Sequence, residues 1–419
     1  MNHYASNMFR DQAGRHYWFA EELVKRGHKV TVFCANTYLN GNLAKSIKGA
    51  FETDYIHENI PFVFVKTNPY KKNGIDRIFN WYNFYRRLIP SAKKYSKTNG
   101  KPDVIIASSV HPLTMVAGIK IAKKLKVPCI CEIRDLWPEA IFKFGKSREK
   151  SLIGRILVKG EHWIYKKADA LIFTKEGDTD YLIEKKWTCD LGGDIPLSKC
   201  HYINNGIKLD SFIRNVSENI VDDIDLLSKE KFIVVYTGTV RPVNAVGNIL
   251  DAARIIQNTN NYPNIEFLIY GDGSELDSLK QRVKEERISN VKLKGFIERK
   301  YIPFILSKAS VNLLNYSQKE YNWTRGNSSN KLFEYMASGK PIISTVKMGY
   351  SIINRYNCGF ELEECTPECL ANKIIDVYNM NPNEREALGN NAFFGSKDFD
   401  FSCLTNKLEK VIKGVVKGE

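Results

Sequence analysis

Apolar β-forming runs alternate along this chain with segments whose hydrophobic positions recur at helical spacing, and the alternation occurs twice. In the first half the runs fall at 29–35 (KVTVFCA), 61–66 (PFVFVK), 103–107 (DVIIA), 128–133 (PCICEI) and 169–174 (DALIFT). In the second half they fall at 232–237 (FIVVYT), 265–270 (IEFLIY), 291–294 (VKLK), 310–314 (SVNLL) and 341–345 (PIIST). Short apolar runs separated by helix-length segments are the pattern of strands buried on both faces of a parallel sheet. The expectation is an α/β chain with two doubly wound sheets in tandem. Residues 187–230 break the pattern with few periodic apolar positions and a short acidic run, which places the boundary near 208–230 and gives domains of 1–208 and 230–394. The segment 395–419 ends in an amphipathic helix, LTNKLEKVIKGVVKG.

The start of the chain departs from this scheme. Residues 1–15 (MNHYASNMFRDQAGR) read as the loop after a strand, and a helix at 16–26 then runs into the strand at 29. In a sheet of order 3-2-1-4-5 the absent strand is the central one, and its loss leaves two neighbours unpaired. Either the natural start lies roughly 6 to 10 residues upstream, a strand's length, or Met1 to Tyr4 supply a stub of that strand.

Composition fits a packed globular protein, with 43% hydrophobic and 26% charged residues in 419. That length suits two domains of roughly 200 residues each. The nine cysteines are scattered and include no C-x-x-C pair, and Cys129 and Cys131 lie in an apolar run. This argues against a disulfide framework or a zinc site and fits a reducing cytoplasm. No stretch reaches ~18 apolar residues, and no basic start with an apolar stretch opens the chain. The net charge of +15 is unevenly held: residues 1–200 carry 34 Lys and Arg against 20 Asp and Glu, and residues 201–419 carry 28 against 27. The first domain is thus expected to meet an anionic surface or substrate. Within it, residues 70–97 interleave aromatics with Lys and Arg. Ile78, Tyr82, Tyr85 and Ile89 share a helical face near Arg86, Arg87, Lys93 and Lys94, a form that suits either an anionic bilayer or packing on its own domain. Nucleic acid is not the expected partner, because the basic excess comes with no recognisable reader module.

Candidate chemistry gathers where strands give way to loops. In Gly326 to Thr345, GNSSNKLFEYMASGKPIIST, a polar loop enters a helix that turns Leu332, Phe333 and Met336 to the core. Gly339 suits its left-handed C-cap, and Glu334 is expected in the first turn. Asn330 and Lys331 stand at the helix N-terminus, where exposed N–H groups favour a diphosphate. In Tyr236 to Asn248, YTGTVRPVNAVGN, Gly238 lets the backbone turn close to a ligand and Arg241 can pair with phosphate oxygens. Gly271 and Gly273 form a third strand-to-helix turn, and Gly295, Phe296 and Ile297 follow another strand. In the first domain Gly14 precedes a helix, His111 follows the strand DVIIASS, and Glu132 to Glu139, EIRDLWPE, ends the next strand.

These stretches resemble glycosyltransferase family 4, and the likeness spans nearly the whole chain, with the second domain the more specific. Ser328 to Met336 resembles the S-P-N-K-L-F-E-Y-M of one subgroup, and EIRDLWPE resembles a motif of bacterial capsule and O-antigen transferases similar to L-fucosamine transferases. The resemblance implies a GT-B fold, two Rossmann-like domains facing across a cleft, with the terminal helix 395–419 crossing back onto the first. It implies a retaining transferase that moves a sugar from a UDP-sugar, of a class that includes N-acetylated deoxyhexosamines, to a lipid-linked saccharide. The acceptor would ride on a polyprenyl diphosphate at the inner face of the cytoplasmic membrane, and no metal or other cofactor would be required. His111, Glu334 and Arg241 would be catalytic, with Glu334 gripping the ribose and His111 by the transferred sugar. Gly14, Gly238, Thr239, Gly271, Gly273, Phe296, Ile297, Ser328, Asn330 and Lys331 would join Arg241 and Glu334 at the nucleotide sugar. Arg134, Asp135 and Glu139 would lie on the acceptor side. Many relatives carry a second glutamate where this chain has Gly326, and a basic residue where it has Thr239. A GT-B-fold UDP-sugar epimerase and a catalytically silent nucleotide-sugar-binding scaffold are the alternatives.

Overall fold

The computed structural model describes all residues except 57–58, 72–73, 144–147, 319–321 and 418–419. Lys72 and Asn73 of the basic aromatic segment and residues 418–419 of the expected 395–419 segment therefore lie outside the described residues. The chain forms two compact units, one of residues 1–204 with 401–419 and one of residues 205–400.

Unit 1 is built on parallel strands with one antiparallel edge. Strands β1 (Val32–Ala35), β2 (Phe51–Ile56) and β3 (Ile60–Val65) run in the order β1-β3-β2, with β2 antiparallel. Strands β4 (Ile105–Ser108), β5 (Cys129–Ile133), β6 (Ala170–Phe173) and β7 (Cys200–Tyr202) form a parallel set in sequence order. Met1 to His3 lie between the two sets. The Asn2 N–H donates to the Phe33 carbonyl at 3.0 Å and the Ala35 N–H to the His3 carbonyl at 2.8 Å. On the other side the Met1 amine donates to the Ile106 carbonyl at 2.6 Å and the Ser108 N–H to the Met1 carbonyl at 2.9 Å. These three residues thus occupy the central position as a stub, and the groups of β1 and β4 that face it are paired.

Unit 2 holds one parallel sheet of β8 (Phe232–Thr237), β9 (Ile265–Tyr270), β10 (Val291–Gly295), β11 (Val311–Leu314), β12 (Ile342–Ser344) and β13 (Gly359–Glu361), in the order β10-β9-β8-β11-β12-β13. Every residue of β8 and β9 is buried, as expected of central strands covered on both faces.

Residues 205–230 fold with the second unit rather than standing between the two. A helix over Leu209–Glu218 buries Phe212 in the unit 2 core. The acidic run beyond it is pinned where Lys294 pairs with Asp223 at 2.7 Å and with Asp225 at 2.6 Å. The final helix spans Phe401–Lys417, later than 395 because residues 382–396 form a separate helix. It places Phe401, Leu404, Leu408 and Val411 against Phe19, Leu23, Ile130 and Ile172 of unit 1.

Candidate functional site

Strand order in unit 2 reverses at β8, with β9 and β10 on one side and β11 to β13 on the other. Loops leaving the strand ends at such a point diverge and open a crevice. Three segments meet there: the loop after β8 with Gly238, Thr239 and Arg241, the loop after β11 with Tyr316, and the helix Asn330–Ala337. Lys331 on that helix lays its amine 4.7 Å from the ring centres of both Tyr236 and Tyr316, and 3.2 Å from the Tyr236 hydroxyl. Gly238 makes room for it, since a Cβ there would lie 2.9 Å from Nζ, and its φ of +147° disfavours any side chain. Burial pushes the Lys331 amine down to about 7; Arg241 adds to the effect and Glu334 opposes it. Arg241 is exposed and, among the described residues, makes no ion pair.

Glu334 is the fifth residue of its helix, so it stands in the second turn and not the first. The helix begins at Asn330 because the polar residues before it give no apolar period, and Ser329 takes the N-cap. Ser329 makes no side-chain cap bond, and of the first N–H groups that of Leu332 donates to the Ser329 carbonyl at 3.2 Å. Arg299 Nη2 donates to Glu334 Oε1 at 3.1 Å, a partner that sequence reasoning missed. Tyr236 and Tyr316 were missed as well, although Tyr236 opens a stretch that the sequence singles out. Gly339 has φ +67°, the expected left-handed C-cap conformation.

The other glycines serve close backbone approach. A Cβ on Gly271 would sit 1.7 Å from the Gly238 carbonyl oxygen, and one on Gly273 would sit 2.2 Å from that of Val240. The loops after β8 and β9 are therefore packed backbone to backbone, and the Gly271 N–H extends the pairing to the Gly295 carbonyl at 2.7 Å. Phe296 projects outward, 74% exposed, while Ile297 packs on the core. Thr239 is exposed and held by Asn244, whose amide nitrogen donates to its carbonyl at 2.6 Å and its hydroxyl at 2.8 Å. The Ser328 carbonyl accepts from Asn205 Nδ2 at 2.7 Å. Gly326 has φ +95°, so the glutamate of relatives would be strained on this backbone.

In unit 1 the sequence-derived residues collect at the C-terminal ends of the stub, β4 and β5. Gly14, at φ +110°, is the N-cap of the helix Arg15–Lys25. Arg15 and His16 follow it into a buried cluster that sequence reasoning did not find. Arg15 Nε donates to Glu132 Oε1 at 2.7 Å, and Glu132 Oε2 accepts from His16 at 2.8 Å and from the Ser108 hydroxyl at 2.6 Å. Burial favours protonation of Glu132, but Arg15 and then His16 outweigh it and hold the carboxyl well below its ordinary range.

His111 is fully buried as the N-cap of the helix Pro112–Leu125, stacked on Trp81 with ring centres 4.8 Å apart. Its tautomer follows from a chain of hydrogen bonds. Asn80 Nδ2 donates to the Asn68 carbonyl at 2.7 Å, which turns Asn80 Oδ1 to His3 Nε2 at 2.7 Å. His3 Nε2 therefore carries the proton, His3 Nδ1 accepts from His111 Nε2 at 2.9 Å, and His111 Nδ1 is left as a bare acceptor. Burial, then His3, then Arg77 hold His111 neutral, well below the usual histidine range. Arg134 is half-buried and Asp135 exposed at the end of β5, and Glu139 is half-buried in the helix Trp137–Lys143.

The basic aromatic helix spans Ile75–Asn99, and its outward face differs from the expected one. Phe84 and Leu88 define the buried side, so Tyr85 and Ile89, one position on, are drawn onto the core. The exposed apolar residues are Ile75, Ile78, Phe79 and Tyr82. A second exposed apolar set, Leu152, Ile153 and Ile156, lies on the helix Leu152–Lys167 beside exposed Arg155 and Lys159. Among the described residues no helix is long and apolar enough to cross a membrane.

Residues 219–393 match the family described as glycosyl transferases group 1, and residues 14–188 match the glycosyl transferase 4-like domain. A probable glycosyltransferase of Pseudomonas aeruginosa, WbjE, is 22% identical over 337 residues, covering 76% of each chain. A putative teichuronic acid biosynthesis glycosyltransferase of Bacillus subtilis, TuaH, is 27% identical over 221 residues, covering 52% of this chain and 50% of that one. Among solved structures, HepE of Anabaena in complex with UDP superposes with a TM-score of 0.61 at 15% identity, over 85% of this chain and 87% of that one. The trehalose 6-phosphate synthase of Burkholderia multivorans superposes with a TM-score of 0.72 at 12% identity, over 100% and 98%. Each unit thus matches a glycosyltransferase domain and the architecture is shared with solved transferases: the chain is a glycosyltransferase of GT-B fold.

Proposed function

We propose that this glycosyltransferase takes a UDP-sugar as donor and transfers the sugar, with retention, to a lipid-linked saccharide in surface polysaccharide assembly. The observation that carries the donor reading is the pairing of Lys331 and Arg241 at the switch point of unit 2, beneath a backbone that Gly238 keeps bare. Two cations and the uncapped start of the 330–337 helix suit a diphosphate. Negative charge grows on that diphosphate as the sugar leaves, and cations fixed at the spot stabilise it without reorganising. Glu334 offers Oε2 to the ribose hydroxyls while Arg299 holds Oε1. HepE, whose fold this chain shares, was solved with UDP and with UDP-glucose. No metal is needed in this reading, because helix N–H groups and basic side chains take its place.

The acceptor side is assigned to Arg134, Asp135 and Glu139, and His111 is assigned a place by the transferred sugar. The acceptor hydroxyl attacks on the face from which the diphosphate departs. An acceptor on a polyprenyl diphosphate places the enzyme at the inner face of the cytoplasmic membrane. Two exposed apolar sets with basic neighbours on unit 1, and 34 basic against 20 acidic residues in positions 1–200, support that location. TuaH, named for teichuronic acid biosynthesis, supports a surface polymer as the product; capsule or O-antigen repeats are the proposed polymers, and an N-acetylated deoxyhexosamine is the proposed donor sugar class.

Calorimetry with UDP, GDP and ADP, first without and then with magnesium, tests the donor. Selective UDP binding that is unchanged by magnesium is the expected result, and no nucleotide binding by a folded sample overturns the reading. Glu334→Ala removes a charge-assisted hydrogen bond and is expected to weaken UDP binding roughly ten- to a hundredfold.

A further inference from the structure

Among the described residues, Arg134 holds a charge without a counterpart. It is the first residue beyond β5 and is half-buried, and its Nε–H is shielded from solvent with no hydrogen-bond acceptor. Among the described residues its guanidinium makes no ion pair and no ring contact. The nearest buried carboxylate in sequence, Glu132, is already saturated by Arg15, His16 and Ser108. Asp135, the next residue, points its exposed carboxylate to solvent and does not pair with it. The positive field is felt locally, since Arg134 disfavours the charged forms of both Arg15 and His16.

The backbone of this residue is clamped from both sides. Its N–H donates to the Ser109 hydroxyl at 3.0 Å, in the loop after β4, and its carbonyl accepts from the Thr174 hydroxyl at 3.0 Å, just after β6. The root of the guanidinium is thus fixed between three strand ends, and its shielded Nε–H is a donor left for a ligand to satisfy. The neighbouring loop is stitched to this one where the Trp137 indole donates to the Val110 carbonyl at 2.9 Å.

We infer that Arg134 is the seat of a phosphate group in unit 1, gripped through its planar fork at the C-terminal edge of the sheet. The inference rests on the transferase reading, which supplies two sources of that chemistry: the diphosphate of the donor and the diphosphate of a lipid-linked acceptor. Arg134→Gln and Arg134→Lys, each titrated with UDP and with geranyl diphosphate, separate the two. Geraniol serves as the headgroup-free control.

The expected result is that Arg134→Gln weakens one diphosphate roughly ten- to a hundredfold, with Arg134→Lys intermediate and any geraniol binding unchanged. Loss confined to geranyl diphosphate assigns the site to the acceptor, and loss confined to UDP assigns it to the donor. A structural arginine would lower the unfolding temperature when replaced, whereas removal of an unpaired charge leaves that of ligand-free Arg134→Gln equal or higher. If both ligands bind Arg134→Gln within twofold of wild type, or wild type binds neither, the inference falls. UDP binding that responds to Glu334→Ala but not to Arg134→Gln, with geranyl diphosphate also unaffected, would overturn it while leaving the transferase reading in place.

Discussion

In the proposed donor site, Lys331 is a side chain placed at a cost to folding. Its amine rests on two tyrosine rings with Arg241 for a neighbour, and burial moves its pKa from 10.5 to about 7. Between those values the unfolded chain binds a proton that the folded chain does not, so stability rises with pH across that window. Lys331→Met removes the penalty. Its thermal stability is expected to exceed that of wild type most clearly below pH 7, with the difference shrinking toward pH 10. Binding has the opposite sign. Above pH 7 the free protein must take up a proton before a diphosphate meets a charged lysine, so UDP affinity is expected to fall by up to about tenfold per pH unit. Calorimetry in buffers of different ionisation heat would detect the uptake, and Lys331→Met should abolish it. The sequence showed Lys331 at a helix start, but not its seat: Tyr236 and Tyr316 are brought beside it by a strand order that skips from β8 to β11. Arg299 was illegible for the same reason, since a loop arginine acquires meaning only when a fold brings a carboxylate to it. Gly326 was readable as a departure, and its positive φ now gives the departure a backbone cause.

Helical period located the Ile75–Asn99 helix, while core contacts decided its rotation. Phe84 and Leu88 claim the buried side, which leaves Ile75, Ile78, Phe79 and Tyr82 outside. If this face meets lipid, Ile78→Glu with Phe79→Glu is expected to reduce sedimentation with phosphatidylserine-containing vesicles at least tenfold, since each apolar side chain contributes about 1.5–3 kcal/mol on burial. Both positions are exposed, so the unfolding temperature should stay within a few degrees of wild type. Undiminished vesicle binding would remove this helix from the membrane surface. The strands divide in the same way. Those buried on both faces announced themselves as apolar runs, whereas β2, with FETDYI, has a polar, half-exposed face and escaped notice. Strands β7 and β13, CHY and GFE, carry no apolar run, unlike the equally short β12 within PIIST.

At the scale of the molecule, unit 1 is discontinuous and unit 2 is one unbroken stretch. Four buried apolar side chains of the final helix complete the unit 1 core, worth roughly 6–12 kcal/mol by area, which is comparable with the whole stability of a domain. Deleting residues 401–419 is therefore expected to abolish one calorimetric unfolding transition and to spare the other, and UDP should still raise the temperature of the survivor. A single transition that vanishes as a whole would show that unit 2 cannot hold its fold without unit 1. The two-sheet organisation was legible because each sheet writes its own apolar runs, but its limits were not, because Asn204 and Phe401 sit where no composition shift marks a border. The same closure has a consequence for biosynthesis. Phe19, Leu23 and Ile130 leave the ribosome long before Phe401 does, and all of residues 205–400 emerge in between. The unit made second is thus the first that can finish folding, and the nascent first unit carries a bare apolar strip, a natural chaperone target, until the last helix arrives.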